Sequence, residues 1–187
     1  IAQYVTIGKQ QPPAITFKSL SLSLESEVQY NLYFTVENMN AAASDMGLIV
    51  WDEEPEEVTL SSGTVVEGAR YDETADRYMV STEGTPGKML GDTKYLAVYA
   101  KQADGSYLYS EAYPYSAKTY CLKRMTDASD EKLKALCVAL MNYGAAAQTY
   151  FDYHTDSLMN GDFAAYQYLV VPYTADMMAP RGSVDPA

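Results

Sequence analysis

The hydrophobic period of this chain changes once, near residue 130, and that switch limits the possible folds more than any other feature. Upstream, apolar and polar residues alternate, as a half-buried strand requires. Over 15–25, Phe17, Leu20, Leu22 and Leu24 are assigned to one face and Ser19, Ser21 and Ser23 to the other. Over 28–37, Tyr30, Leu32, Phe34 and Val36 share a face. Further strands are predicted at 3–8, 46–51, 64–66, 77–82, 95–101, 106–110, 113–120 and, closing the sheet, 166–173. Asp104 and Gly105 between two alternating runs predict a hairpin with a type I′ turn, whose central residues need positive φ.

Downstream the gaps become three and four. Leu133, Leu136, Cys137, Leu140, Gly144, Ala147 and Phe151 fall on one helical stripe. The predicted helix runs from 130 to about 153 and measures ~33 Å, long enough to lie across a whole sheet. Ser129 is its expected N-cap, with Asp130 and Glu131 at the positive end of the dipole. Gly144, Ala145, Ala146 and Ala147 thin its middle, so a sheet or another backbone can approach there. Asn160 and Gly161 are expected to stop any further helix. The fold class that follows is mostly β: an antiparallel β-sandwich with a C-terminal helix packed on it. One module is expected over 1–175, with a flexible tail or linker at 176–187. A chain of this length buries about 70% of its unfolded surface, so it folds without disulfides or metals.

Charge narrows the partners. Thirteen basic residues against twenty-five acidic give a net charge of −12. Such a field repels phosphate backbones and anionic lipid, which excludes nucleic acid and membrane surfaces as natural partners. No apolar run is long enough to cross a bilayer. The chain opens at Ile1 rather than Met. The expectation is a monomeric piece of a longer multidomain chain, whose other parts carry any signal peptide or wall anchor.

Few residues offer chemistry. His154 is the single histidine. Without a cysteine cluster it cannot build the usual zinc site, and no G-x-S-x-G accompanies it, so it reads as a helix C-cap. Cys121 and Cys137 are the two cysteines, sixteen apart and with no CxxC. They read either as a strand-to-helix disulfide or as two buried thiols acting as small hydrophobes. Asp52, Glu53, Glu54, Glu56 and Glu57 lack both a calcium-loop spacing and the set separation of a glycosidase pair, and read as a solvated acidic loop. There is no phosphate loop or dinucleotide fingerprint. The chain is therefore expected to be non-catalytic, with no cofactor and no metal.

What remains is aromatic. Eighteen tyrosines are present, and tyrosine combines large contact area with a polar tip at low entropy cost. The candidate binding residues are Trp51, Tyr107, Tyr109, Tyr113 and Tyr115. Trp51 either continues the apolar run 46–51 into the core or anchors a ligand. Tyr107 and Tyr109 share one strand face, and so do Tyr113 and Tyr115. A pair facing the core would pack, and an exposed pair would make a platform.

The segments 19–25, 31–36, 47–51, 91–95, 115–120 and 133–136, together with Asn142, Tyr143, Gly144, Ala145, Ala146, Ala147 and Gln148, resemble a module of large cell-surface proteins of gut-dwelling clostridial bacteria. The resemblance covers about residues 17–160, and the Asn-Tyr-Gly-Ala-Ala-Ala-Gln run is its most specific part. It implies extracellular display on the cell surface or wall, and binding without catalysis. Some proteins of that kind bind immunoglobulin variable regions as B-cell superantigens, and others accompany carbohydrate-active enzymes. The implied partner is thus a host protein, with an immunoglobulin Fab favoured. A carbohydrate-binding module and a structural spacer of a wall protein are the alternatives. Cys121 and Cys137 depart from the family's pattern, where small or aliphatic residues are expected.

Overall fold

A computed structural model describes residues 11–127 and 129–170. The strand expected at 3–8 and the tail at 176–187 lie outside them. The chain divides into two compact units, Ile1–Tyr120 and Cys121–Ala187, a division inside the stretch that the pattern treats as one module.

The first unit is a two-sheet β structure. Its described strands are β1 (Ala14–Ser23), β2 (Gln29–Glu37), β3 (Met46–Trp51), β4 (Thr64–Glu67), β5 (Arg70–Asp72), β6 (Arg77–Ser81), β7 (Lys94–Lys101), β8 (Tyr107–Tyr109) and β9 (Tyr113–Tyr115). One antiparallel sheet runs β1-β2-β6-β5. The other runs β4-β3-β7-β8, with β9 also paired to β7. The predicted alternation decides what lies between the sheets. Tyr30, Leu32 and Phe34 from β2, Met46 and Leu48 from β3, and Leu96, Val98 and Ala100 from β7 are all fully buried. Phe17 stacks on Tyr113 at 4.1 Å, and Tyr30 meets Tyr115 edge-on at 5.4 Å, so rings of one sheet touch rings of the other. Burying each such side chain contributes about 1.5–3 kcal/mol.

A bulge explains the three-residue step in β1. Phe17 pairs with Phe34, but Ser19 pairs with Tyr33 and Leu20 with Leu32. Lys18 is the extra residue, exposed, and the bulge returns Phe17 to the face of Leu20 and Leu22. Leu24 lies beyond the strand and is exposed rather than aligned with them. The opposite face of this sheet is polar. Asn31 accepts from Ser81 Oγ and donates to Ser21 Oγ, and the Arg77 guanidinium sits 4.1 Å over the Tyr33 ring.

The hairpin at Asp104 and Gly105 forms, but with a different turn. Gly105 has φ +87 and no positive φ occurs at Asp104. Gly105 N donates to Gln102 O and Gln102 N to Ser106 O, which gives a type I turn followed by a left-handed glycine. Ser106 donates to Asp104 from both Oγ and backbone N, and these bonds hold the Asp104 carboxyl below its ordinary pKa.

The strand expected at 113–120 stops at Tyr115 and becomes helix α1 (Ala117–Asp127). The cause is local. Ser116 Oγ accepts from Thr119 N, and Thr119 Oγ1 accepts from Ser116 N, a reciprocal cap that competes with the strand ladder.

In the second unit, α2 (Glu131–Tyr150) carries the predicted helix. Its N-cap is Asp130, not Ser129: the Asp130 carboxylate accepts from Lys132 N at 2.8 Å. Its C-cap is Phe151, not His154. Tyr153 N donates to Gln148 O and Asp152 N to Thr149 O, the paired bonds of a Schellman ending, with Asp152 in the left-handed position at φ 49. His154 follows it, exposed, with φ 47. Asn160 and Gly161 open a 3-10 helix, Gly161–Leu169, rather than ending one. That segment occupies residues 166–169 of the expected final strand, and 171–173 lie outside the described residues.

Candidate protein-binding surface

Trp51 belongs to the interior. With Ile49, Ala97 and Tyr99 it forms a buried cluster on the face of β3 and β7 turned away from the other sheet. Val58 and Leu60 from the loop after β3 cover this cluster. The Trp51 indole N–H donates to Ser62 Oγ at 3.2 Å, and Gly63 lies so close to the ring that a Cβ there would collide with it. The acidic residues at the head of that loop are exposed, and Asp52 pairs with Lys94. Among the described residues, no group of three or more His, Cys, Asp or Glu side chains is arranged to hold a metal.

The four candidate tyrosines separate by register. Tyr113 pairs with the buried Leu96, so it faces the other sheet, and Tyr115 follows two residues on. Both are packing residues against Phe17 and Tyr30, and burial with the nearby Glu111 carboxylate pushes the Tyr113 hydroxyl up. Tyr109 pairs with Tyr99 on the opposite face of the sheet. Tyr107 and Tyr109 lie nearly parallel, with centroids 6.3 Å apart. Tyr109 leans on the Trp51 cluster, which leaves Tyr107 as the one of the four that is more than a third exposed, at 37%.

A larger aromatic surface lies in the second unit, at residues the sequence reading did not select for binding. Leu136, Tyr143 and Tyr150 are spaced seven apart on α2 and are 48%, 59% and 83% exposed. Half-buried Leu140 and Ala147 fall between them, so gaps of four and three run the length of the helix on one face. Phe151 extends the face at the C-cap, with its ring edge-on to Tyr150 at 4.9 Å. The buried face is a different one, made by Cys137, Val138, Met141, Gly144, Ala145 and Gln148. The predicted stripe mixed the two: Leu136 and Phe151 point to solvent, while Cys137 and Gly144 are covered.

The Asn-Tyr-Gly-Ala-Ala-Ala-Gln run explains how the buried face is closed. Gly144 makes room for the Met159 side chain, not for a backbone. Gln148 Oε1 accepts from Met159 N at 2.9 Å. Asn142 and Gln167 exchange amide hydrogen bonds at 2.7 and 3.1 Å, and Asn160 donates to Asn142 Oδ1 at 3.0 Å. Met159 and Phe163 are thereby buried. The same bonds fasten Tyr166 and Tyr168, exposed at 37% and 77%, beside the middle of α2. Spacing alone could have flagged this surface, because a seven-residue repeat of Leu, Tyr and Tyr was present in the chain.

Chemically, this surface offers rings, hydroxyl tips and aliphatic edges on a rigid helix, the composition of interface anchors.

No protein-family model matches the chain, and no curated protein matches it. Among solved structures, it is similar to Astrotactin-2, described as a conserved vertebrate-specific and perforin-like membrane protein involved in neuronal development. The match has 12% identity and a TM-score of 0.32, and covers 80% of this chain and 33% of that one. The chain thus spans about a third of that protein's length, and a likeness at this level assigns neither family nor role.

Proposed function

We propose that this chain is a non-catalytic binding module of a bacterial surface protein. It engages a host protein through the outward face of α2, and an immunoglobulin variable region is the favoured partner. The observation that carries this reading is the exposed row of Leu136, Tyr143, Tyr150 and Phe151. Aromatic anchors held on a helix lose little entropy on binding, which suits recognition of a folded partner. The choice of an immunoglobulin, and of the cell surface as the location, comes from the resemblance of the Asn142 to Gln148 run to clostridial surface modules.

A second reading has its own observation. The near-parallel Tyr107 and Tyr109 rings suit stacking on a sugar. With Tyr109 leaning on the Trp51 cluster, the platform is one ring wide, which favours the protein partner.

Biolayer interferometry against pooled human IgG and IgA, with Fab and Fc separated, tests both. The expected result is saturable Fab binding that weakens at least thirtyfold in Tyr143→Ser/Tyr150→Ser, since anchor residues each cost about 2 kcal/mol or more. Tyr107→Ser leaves it unchanged. Absence of any immunoglobulin signal rejects the favoured partner. Binding on a glycan array that Tyr107→Ser abolishes establishes the second reading instead.

A further inference from the structure

The core between the two sheets opens into a cavity at one end. On the β3 side the register places its wall. Leu48 and Leu96 are fully buried between the sheets. Val66 pairs with Leu48, Thr64 pairs with Val50, and Val50 pairs with Leu96. Alternation turns Val50, Thr64 and Val66 to the same side as the two leucines. Lys94 stands two residues before Leu96 on that side, and Asp52 two residues after Val50. From the other sheet, the segment after β6 closes the space. Thr82 N donates to Tyr30 O at 2.9 Å and Thr85 N to Val28 O at 2.7 Å, which fastens Glu83, Gly84, Thr85 and Pro86 beside the start of β2. These two walls enclose a cavity of about 250 Å³. That is just below the roughly 300–1,000 Å³ of sites for drug-sized ligands, so it suits one small group.

The lining divides by chemistry. Val50, Val66 and Pro86 are apolar, and Thr64 and Thr85 bring hydroxyls. Three carboxylates stand at or beside the cavity. Asp52 is ion-paired with Lys94. Glu83 lines the cavity, and its side chain is not ion-paired with any described cation. Glu27 packs against Gly84, in the space that a Cβ there would need. One ammonium against three carboxylates leaves the site negative, and the exposed Glu53, Glu54, Glu56 and Glu57 add to that field. An anion is therefore repelled, and Lys94 is already held by Asp52. A sugar finds no aromatic ring in the lining to stack on. Among the described residues, no metal-ligand cluster is present here or elsewhere.

We propose that this cavity binds a primary ammonium group on a short aliphatic stem, the chemistry shared by a lysine side chain and a small free amine. The stem lies along Val50 and Val66, where its methylenes leave water. The ammonium has three donors, and it meets the Glu83 carboxylate and the Thr64 and Thr85 hydroxyls. The inference stands apart from the proposed binding function, since the cavity belongs to the β unit and α2 to the other.

The test titrates the isotope-labelled chain with butylammonium chloride at neutral pH and follows backbone amide shifts by NMR. Sodium butyrate and sodium chloride at matched ionic strength are the controls. The expected result is saturable shifts at Thr64, Val66, Gly84 and Thr85, with a dissociation constant on the order of a few millimolar. Butyrate leaves those amides unmoved. Glu83→Gln weakens butylammonium binding roughly threefold or more. Glu83 is exposed, so this variant folds. Cadaverine and Nα-acetyl-lysine methylamide then separate the two sources: binding of the blocked lysine assigns the site to a partner's side chain, and binding of cadaverine alone assigns it to free amines. No saturation by butylammonium below about 100 mM, equal shifts with butyrate, or undiminished binding by Glu83→Gln would overturn the proposal.

Discussion

The two units use aromatic residues in opposite ways. In the β unit the large rings turn inward or onto each other: Trp51 into its cluster, Tyr113 onto Phe17, Tyr115 onto Tyr30. In the helical unit the covered face of α2 is built mostly from small or flexible residues, Cys137, Val138, Met141, Gly144 and Ala145. There the rings of Tyr143, Tyr150 and Phe151 face solvent. Facing sheets stand about 10 Å apart and leave room for rings between them. The segment held against α2 by Gly144 and the Asn142 and Gln148 amides brings one ring, Phe163, to the covered side, while the rings of α2 itself go to the other. Ring count therefore says little about a binding surface, while the size of the residues on the covered face says a good deal.

That contrast makes Phe34→Ala the most damaging single change. Phe34 is fully buried between the sheets, and its loss is expected to cost about 3–5 kcal/mol in denaturant unfolding. A cost under about 1 kcal/mol would mean that the sheets are not packed to native density. Glycine substitutions probe the same contrast at smaller scale. A Cβ on Gly47 meets the Val66 carbonyl and the Tyr99 ring, and a paired backbone oxygen cannot move aside. Gly47→Ala is expected to destabilise by about 1–3 kcal/mol. Gly144→Ala meets the flexible Met159 side chain and gains about 1 kcal/mol of helix propensity, so its net effect is smaller. Equal losses at the two positions would erase the distinction between a backbone neighbour and a side-chain neighbour.

Much of the β unit was legible because its register follows a period of two. Met46–Trp51 is predicted to the residue, and the Leu32 and Phe34 face is the core face. What local pattern could not supply was pairing. Whether Tyr107 and Tyr109 or Tyr113 and Tyr115 face the core depends on which residue of β7 each opposes, Tyr99 or Leu96. β5 escaped because three residues with two charges, Arg70–Asp72, carry no alternation. On α2 the three-and-four spacing exists on two arcs at once, and the choice between them is made by Met159 and Phe163, which arrive from outside the helix. The reciprocal cap of Ser116 and Thr119 was readable in principle but was outweighed by the tyrosine alternation before it.

Asp152→Gly tests the helical unit from the stabilising side. A left-handed φ of 49 is costly for a residue with a Cβ and free for glycine. After the larger entropy loss of glycine is subtracted, about 0.5–1 kcal/mol of gain is expected. A loss would mean that the Asp152 carboxylate contributes more than the backbone strain costs.

The smallest stability change is expected where the function is placed. Tyr143 and Tyr150 bury little, so Tyr143→Ser/Tyr150→Ser should shift unfolding by less than about 0.5 kcal/mol. Tyr113→Ser, which removes a ring stacked between the sheets, should cost several times more. If the double variant proves as destabilising as Tyr113→Ser, the outward rings are structural and the binding face lies elsewhere. If it leaves stability intact while abolishing Fab capture, the rings are maintained at solvent for a partner, because folding gains almost nothing from them.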